Sequence, residues 1–318
     1  MDDDQLAAVE RRAVDIAWDA GCMLLSRFRQ PLKVDWKGKR EGDDPVTDAD
    51  NEVETFVRDE LARHFPSHAL VGEEGAGSGS EPKAYTWVVD PLDGTTNFLN
   101  GLPAFACSIA LLERGVPVVA AIFVPWPATD GALVLHARCG GGSWAGDQAL
   151  RLPKEPPPPG GLIVLPRGPY RLSASLSHRL ANRRSVGSIA YELAATALRT
   201  YRFVLFSSPR VWDVAAGALL VKEAGGAVMT LPEGGGPWQP LAAFAAPERS
   251  SADGAEAGMP GQEELRSWSR PLLAGPAPAV EKAAAGIVPY HPLLPRAFRM
   301  VRRALRPRTQ PKKETGPV

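Results

Sequence analysis

Trp87-Val88-Val89-Asp90-Pro91-Leu92-Asp93-Gly94-Thr95-Thr96-Asn97 begins as a buried, apolar strand and stops at two carboxylates spaced i, i+3 around a proline. Asp is disfavoured in strands, so two of them at a strand's end need a reason. Pro91 removes a backbone donor and bends the chain, which can turn both carboxylates and the intervening Leu92 carbonyl toward one point. Such a cluster of hard oxygen ligands is what Mg²⁺ prefers. Gly94 lets the backbone come close, and the N–H groups of Gly94, Thr95 and Thr96 can open a helix and meet an anion. Metal plus phosphate is the reading of this run. The plainer alternative is a polar turn with an Asx cap.

Working outward, residues 5–29 carry Leu6, Val9, Ala13, Ile16, Ala20 and Leu24 at helical spacing. Thr47-Asp48-Ala49-Asp50 has the form of a helix start, and Val53, Phe56, Val57 and Leu61 share one face of the helix it opens. Ala69–Gly72 reads as a short strand ending at Glu73 and Glu74. Adjacent residues on a strand point in opposite directions, so one of this pair at most is expected to face a site. Phe105–Leu112 and Val116–Val124 are apolar strands joined at Arg114-Gly115, a hairpin. Ala132–Ala137 and Leu162–Leu165 are strand-like, with the proline run Pro156–Pro159 between them as a seam.

Further on, Ser188 caps a helix over Ile189–Leu198, Tyr201–Phe206 is a strand, and Val211–Glu223 is a helix stopped by Gly225-Gly226. Small residues at Ala215, Ala216 and Gly217 allow close packing. Asp213 falls in that helix's first turn, where the dipole favours a carboxylate.

A chain of 318 residues with 44% hydrophobic content has the size of one large or two small domains. Zero formal net charge implies no global attraction to nucleic acid or membrane. Cys22, Cys107 and Cys139 are widely spaced and odd in number, which fits reduced thiols rather than a disulfide framework. The acidic start Met1-Asp2-Asp3-Asp4 is unlike a signal or transit peptide, and no apolar run approaches the length of a membrane span. A cytoplasmic location is the expectation. His64, His68, His136, His178 and His291 show no ligand-like spacing.

Asp44-Pro45-Val46-Thr47-Asp48-Ala49-Asp50, Gly72-Glu73-Glu74, the Asp90–Asn97 run, Gly187-Ser188 and Trp212-Asp213-Val214-Ala215-Ala216-Gly217 together resemble the inositol monophosphatases. That superfamily includes fructose-1,6-bisphosphatases and bisphosphate nucleotidases. The resemblance covers about residues 5 to 285. It implies a layered α-β-α-β-α sugar-phosphatase fold (an α+β or α/β class) and Mg²⁺-dependent hydrolysis of a small phosphorylated metabolite. It also admits a homodimer. The D-x-x-D spacing differs from the D-x-D of haloacid-dehalogenase phosphatases, which use an aspartate nucleophile.

By the same resemblance, one ion falls to Glu73, Asp90 and the Leu92 carbonyl, and a second to Asp90, Asp93 and Asp213, with a third, weaker one near Glu73. Thr95 would hold the attacking water, with Asp44 orienting its hydroxyl. Asp48 and Asp50 read as helix-start charges. The N–H groups around Gly94 and Thr95 would hold phosphate oxygens, and Gly187, Ser188 and Ile189 would line the substrate pocket with backbone. Lys37, ahead of Asp44, could add positive charge over the metals or be a solvated loop lysine.

Two features depart from the family. Phe206 stands in register with an acidic residue that, in inositol monophosphatases, bonds substrate hydroxyls. A phenyl ring accepts no such bond, so broad or non-inositol activity is expected. Residues 291–318 carry eight arginines and lysines against Glu314 alone. The expected organisation is therefore a phosphatase unit over 1–285, in halves of about 1–130 and 131–285, and a basic flexible tail over 286–318. The tail could touch anionic lipid or nucleic acid, or remain a solubilising segment.

Overall fold

The computed structural model describes residues 1–37, 45–75, 82–127, 131–155, 160–166, 170–173, 182–232, 236–244 and 259–289. The chain opens with α1 (Asp3–Arg27), started by a capping box between Asp2 and Gln5. Its buried face is the Leu6, Val9, Ala13, Ile16, Ala20, Leu24 stripe read from the sequence. A ribbon of β1 (Val34–Trp36) and β2 (Pro45–Thr47) follows. Thr47 then caps α2 (Asp48–His64), with Asp50 closing the box.

A first sheet holds β3 (Ala69–Gly72), β4 (Tyr85–Asp93), β5 (Ala106–Glu113), β6 (Val116–Trp126), β7 (Gly131–Arg138), β8 (Gly142–Ala145) and β9 (Gln148–Leu150), side by side in chain order. The pair β3 and β4 is parallel, and the remaining neighbours are antiparallel. The short helix α3 (Thr95–Leu99) lies between β4 and β5. The hairpin between β5 and β6 turns where expected, with positive φ at both Arg114 (50°) and Gly115 (84°), the twist that suits a two-residue hairpin loop.

The rest of the described chain supplies β10 (Leu162–Val164), β11 (Tyr170–Leu172), β12 (Asn182–Arg183), α4 (Ile189–Ala197), β13 (Tyr201–Phe206), α5 (Val211–Glu223), β14 (Gly226–Thr230), β15 (Gln239–Pro240), α6 (Gln262–Ser267), β16 (Leu272–Pro276), α7 (Ala277–Gly286) and β17 (Ile287–Pro289). A second sheet runs β12-β10-β13-β16-β14-β15, while β11 pairs with β17.

Alternation along the strands explains the stacking. Trp87, Val89, Ile109, Leu111 and Phe123 meet α1 and α2 on one face of the first sheet. Val88, Ala110, Leu112 and Ile122 point the other way and meet Leu193 of α4 and Val214 and Leu220 of α5. Those two helices pack in turn on the second sheet, whose far face buries Phe203, Leu205 and Leu273 against Val280 of α7. A strand buried on both sides reads as a continuous apolar run, as β5 does. The result is the expected α-β-α-β-α stack. Gly217 lets α4 and α5 cross closely, since a Cβ there would lie within 2.4 Å of Leu193.

The strand β4 does not stop at Asp90. It continues to Asp93, with Asp90 opposite Ser108, Asp93 opposite Ala106 and a register shift between them. All three cysteines are free, Cys107 in the core and Cys22 and Cys139 exposed. Among the described residues no helix is long and apolar enough to cross a membrane. The proline run Pro156–Pro159 and the basic tail from residue 290 lie outside the described residues.

Candidate active site

The irregularity in β4 builds the site. Pro91 has no N–H to give to the ladder, and the extra residues between the two pairings form a bulge that re-aims side chains. Asp90 accepts the Leu92 N–H at 3.1 Å, which pins the bend. Gly94 then takes φ +94°, and a Cβ there would come within 3.0 Å of both the Ala104 carbonyl and Ser188. Only glycine fits such a left-handed, crowded position without strain. α3 begins at the next residue.

Glu73, Asp90, Leu92, Asp93, Gly94, Thr95, Thr96, Gly187, Asp213 and Pro45 line one cleft of about 190 Å³. Four carboxylates from the ends of β3 and β4 and the start of α5 are thus brought together across 140 residues of chain. Among the described residues no three His, Cys, Asp or Glu side chains form a ready-made ion cage. Asp93 and Asp213 are set at the cleft by neutral donors. Asp93 Oδ2 accepts the Ser188 hydroxyl at 2.7 Å and the Ala190 N–H at 2.5 Å. Asp213 Oδ2 accepts the Arg210 N–H at 2.8 Å.

Burial and mutual repulsion dominate the electrostatics. Asp90 is 1% exposed. Burial, then the charges of Glu73, Asp93 and Asp213, push its carboxyl well above the usual range. Asp93 is raised in the same way by burial and by Asp213. Asp213 is pushed up to about 7, chiefly by burial. Such a set of close, buried acids fits a hard divalent cation, which would offset the repulsion.

Between about 4 and about 7 the folded protein keeps a proton on Asp213 that the unfolded chain would release, and raised Asp90 and Asp93 act in the same direction, so stability should fall as pH rises through that window. Without metal, the midpoint of thermal unfolding is expected to drop from pH 5 to pH 8, and Mg²⁺ should restore it most at pH 8. A flat profile in calorimetry, with no Mg²⁺ effect, would contradict this charge balance.

Thr95 has partners that the sequence does not announce. Its hydroxyl lies 3.1 Å from Asp50 Oδ1 and 3.0 Å from the Leu92 carbonyl, with one hydrogen to share between them. Asp50 is 1% exposed, and its other oxygen accepts the Thr47 N–H and hydroxyl. Asp44, expected to orient Thr95, lies outside the described residues. In the sequence Asp50 reads as a helix-start charge. It is one, but its second oxygen reaches Thr95. The capping box hid that role, because one carboxylate can serve a helix N-terminus and a neighbouring hydroxyl at once.

The remaining expected site residues separate. Gly187 lines the cleft with φ +84°. Ser188 is fully buried and its hydroxyl donates to Asp93, so the side chain braces a carboxylate. Ile189 packs partly buried against the inter-sheet core. Lys37 bonds Glu73 at 3.0 Å and also Glu74. Burial works against its charge, but the two glutamates outweigh that and raise its pKa. Glu73 and Glu74 therefore do not point in opposite directions. The strand ends at Gly72 and the chain bends at 73–75, so strand alternation no longer applies there. Phe206 sits in the inter-sheet core, 6% exposed and paired with Leu272, and does not line the cleft. A phenyl ring gains far more from that apolar interior than from a wet rim.

Residues 5–257 match the inositol monophosphatase family. The chain is 38% identical over 234 residues to an inositol-1-monophosphatase of Rhizobium meliloti (strain 1021), spanning 70% of this chain and 85% of that one. It is 32% identical over 231 residues to the Nus factor SuhB of Escherichia coli (strain K12), spanning 68% and 82%. The crystal structure of the extragenic suppressor protein SuhB from Bartonella henselae superposes with a TM-score of 0.66 at 27% identity, over 87% of this chain and 97% of that one. Likeness on this scale, across a span that includes every wall of the cleft, means that the chain belongs to the inositol monophosphatase family and is a phosphoric monoester hydrolase.

Proposed function

We propose that this chain is a Mg²⁺-dependent phosphatase of small phosphorylated metabolites, acting in the cytoplasm by attack of water on phosphorus. One observation carries the reading: Glu73, Asp90, Asp93 and Asp213 share a single cleft with the backbone that opens α3. The carboxylates and the Leu92 carbonyl would hold Mg²⁺, and the N–H groups of Gly94 to Thr96 would hold phosphate oxygens. When bound, the ions make water a nucleophile near neutral pH and offset charge on the leaving oxygen.

The chain's own residues handle the proton. While the Thr95 hydroxyl donates to Asp50, its lone pairs are left to accept a proton from the attacking water. Asp50, raised in pKa by burial, can take the Thr95 proton in turn. That is general-base positioning without a covalent intermediate. The Leu92 carbonyl, given up by Thr95, becomes a free ligand.

The cleft, at about 190 Å³, is smaller than the ~300 Å³ of most drug-sized pockets. It suits a phosphoryl group and its ester oxygen, with the alcohol held loosely outside. Inositol phosphates, sugar phosphates, histidinol phosphate and 3′-phosphonucleotides are the panel to test. Turnover on several of these, with kcat/KM values within about tenfold of one another and lost on removing Mg²⁺, is expected. A single substrate preferred by a wide margin would overturn the breadth of this reading. The likeness to the Nus factor SuhB supports a second reading, in which the chain serves chiefly as a phosphate-ligand sensor or scaffold. Absence of Mg²⁺-dependent hydrolysis across the panel would select it.

A further inference from the structure

Glu192 is 1% exposed, does not line the cleft, and lies in the first turn of α4. One of its oxygens, Oε1, accepts the Ser185 hydroxyl at 3.0 Å, the Val186 N–H at 2.5 Å and the Gly187 N–H at 3.4 Å. Asn97 grips the same turn from the other side. Its amide donates to the Val186 carbonyl and to the Ala104 carbonyl, both at 2.7 Å. The turn needs such anchoring, because Gly187 at φ +84° imposes no conformation of its own. What the turn delivers is Ser188, whose hydroxyl, with the Ala190 N–H, fixes Oδ2 of Asp93.

We infer that Glu192 is a positioning residue for the metal site: through the Ser185–Ser188 turn it sets the donors that aim Asp93, and so it tunes the affinity for Mg²⁺. Glu192 touches neither substrate nor ion. A carboxylate in a helix's first turn can also be merely a favourable charge on the dipole. The two roles differ in what they predict. A dipole role moves stability alone, whereas groups that orient metal ligands alter metal affinity by ~10–100-fold when removed. The inference rests on the Mg²⁺-dependent reading above.

The test is a Mg²⁺ titration of the whole chain, followed by thermal shift and by hydrolysis of p-nitrophenyl phosphate, for the unsubstituted protein, Glu192→Ala, Glu192→Gln and Ser185→Ala. Glu192→Ala is expected to raise the Mg²⁺ concentration for half-maximal shift about tenfold or more, with the substrate KM at saturating Mg²⁺ little changed. Glu192→Gln keeps a carbonyl acceptor and should recover most of the loss. Ser185→Ala removes one donor and should give a smaller rise. If Glu192→Ala does not fold, Ser185→Ala decides, with a rise of more than about twofold expected. Half-saturation within about twofold of the unsubstituted protein in every folded variant overturns the inference. If the unsubstituted protein itself shows neither a Mg²⁺ shift nor Mg²⁺-dependent turnover, the metal reading falls and takes the inference with it.

Discussion

Asp90→Asn should abolish phosphatase turnover while leaving the protein folded and, without metal, more stable. The side chain is nearly isosteric, so packing around it is kept. What changes is charge: Asp90 is buried against Glu73, Asp93 and Asp213, and an amide relieves that repulsion. Relief of about 1 kcal/mol would raise the metal-free unfolding midpoint by ~2–4 °C in a chain of this size. The same change removes the carboxylate proposed to bridge both ions. A fall in kcat/KM of roughly 10³-fold or more is expected, about 4 kcal/mol of transition-state stabilisation. Rate assays and calorimetry on one preparation check both halves. Turnover near the unsubstituted rate in a folded Asp90→Asn protein would sink the metal assignment. Loss of folding would show that Asp90 serves the structure first.

The second large effect concerns Thr95 and Asp50. Thr95→Ala should lower kcat by about 10²–10⁴-fold, the usual worth of general-base positioning, with half-saturating Mg²⁺ little altered. Asp50→Asn should do much the same. It keeps the shape of the Thr47 cap but no longer draws the Thr95 proton as a carboxylate does. Because the two act as one unit, the double variant should be scarcely worse than either single one. Additive losses would mean that Thr95 and Asp50 work separately. A matching loss of Mg²⁺ affinity would make Thr95 a support for the Leu92 carbonyl and not the holder of water.

Much of the architecture is local enough to be read from the chain. Helical periodicity marks α1 and α2, because each buries one face at its own spacing, and continuous apolar runs mark β5 and β6, which are buried on both faces. The Thr47 and Ser188 caps are equally local, since a side chain satisfies N–H groups three residues away. Short elements escape this reading. β8, β9, β12 and β15 have two to four residues each and exist through pairing with neighbours, which no local pattern announces.

The site divides along the same line. By themselves, the residues of the Asp90–Asn97 run determined that carboxylates, a bend and a close-approaching backbone would meet at one strand end, because proline and glycine act on the backbone wherever they stand. Only the tertiary structure decided what faces what. It placed Asp50 behind Thr95, gave the Ser188 hydroxyl to Asp93, turned Glu74 onto Lys37 beside Glu73, and buried Phe206 between the sheets. Each of those outcomes depends on which long-range neighbour offers a donor, a cation or an apolar wall, and such partners lie tens of residues away in the chain.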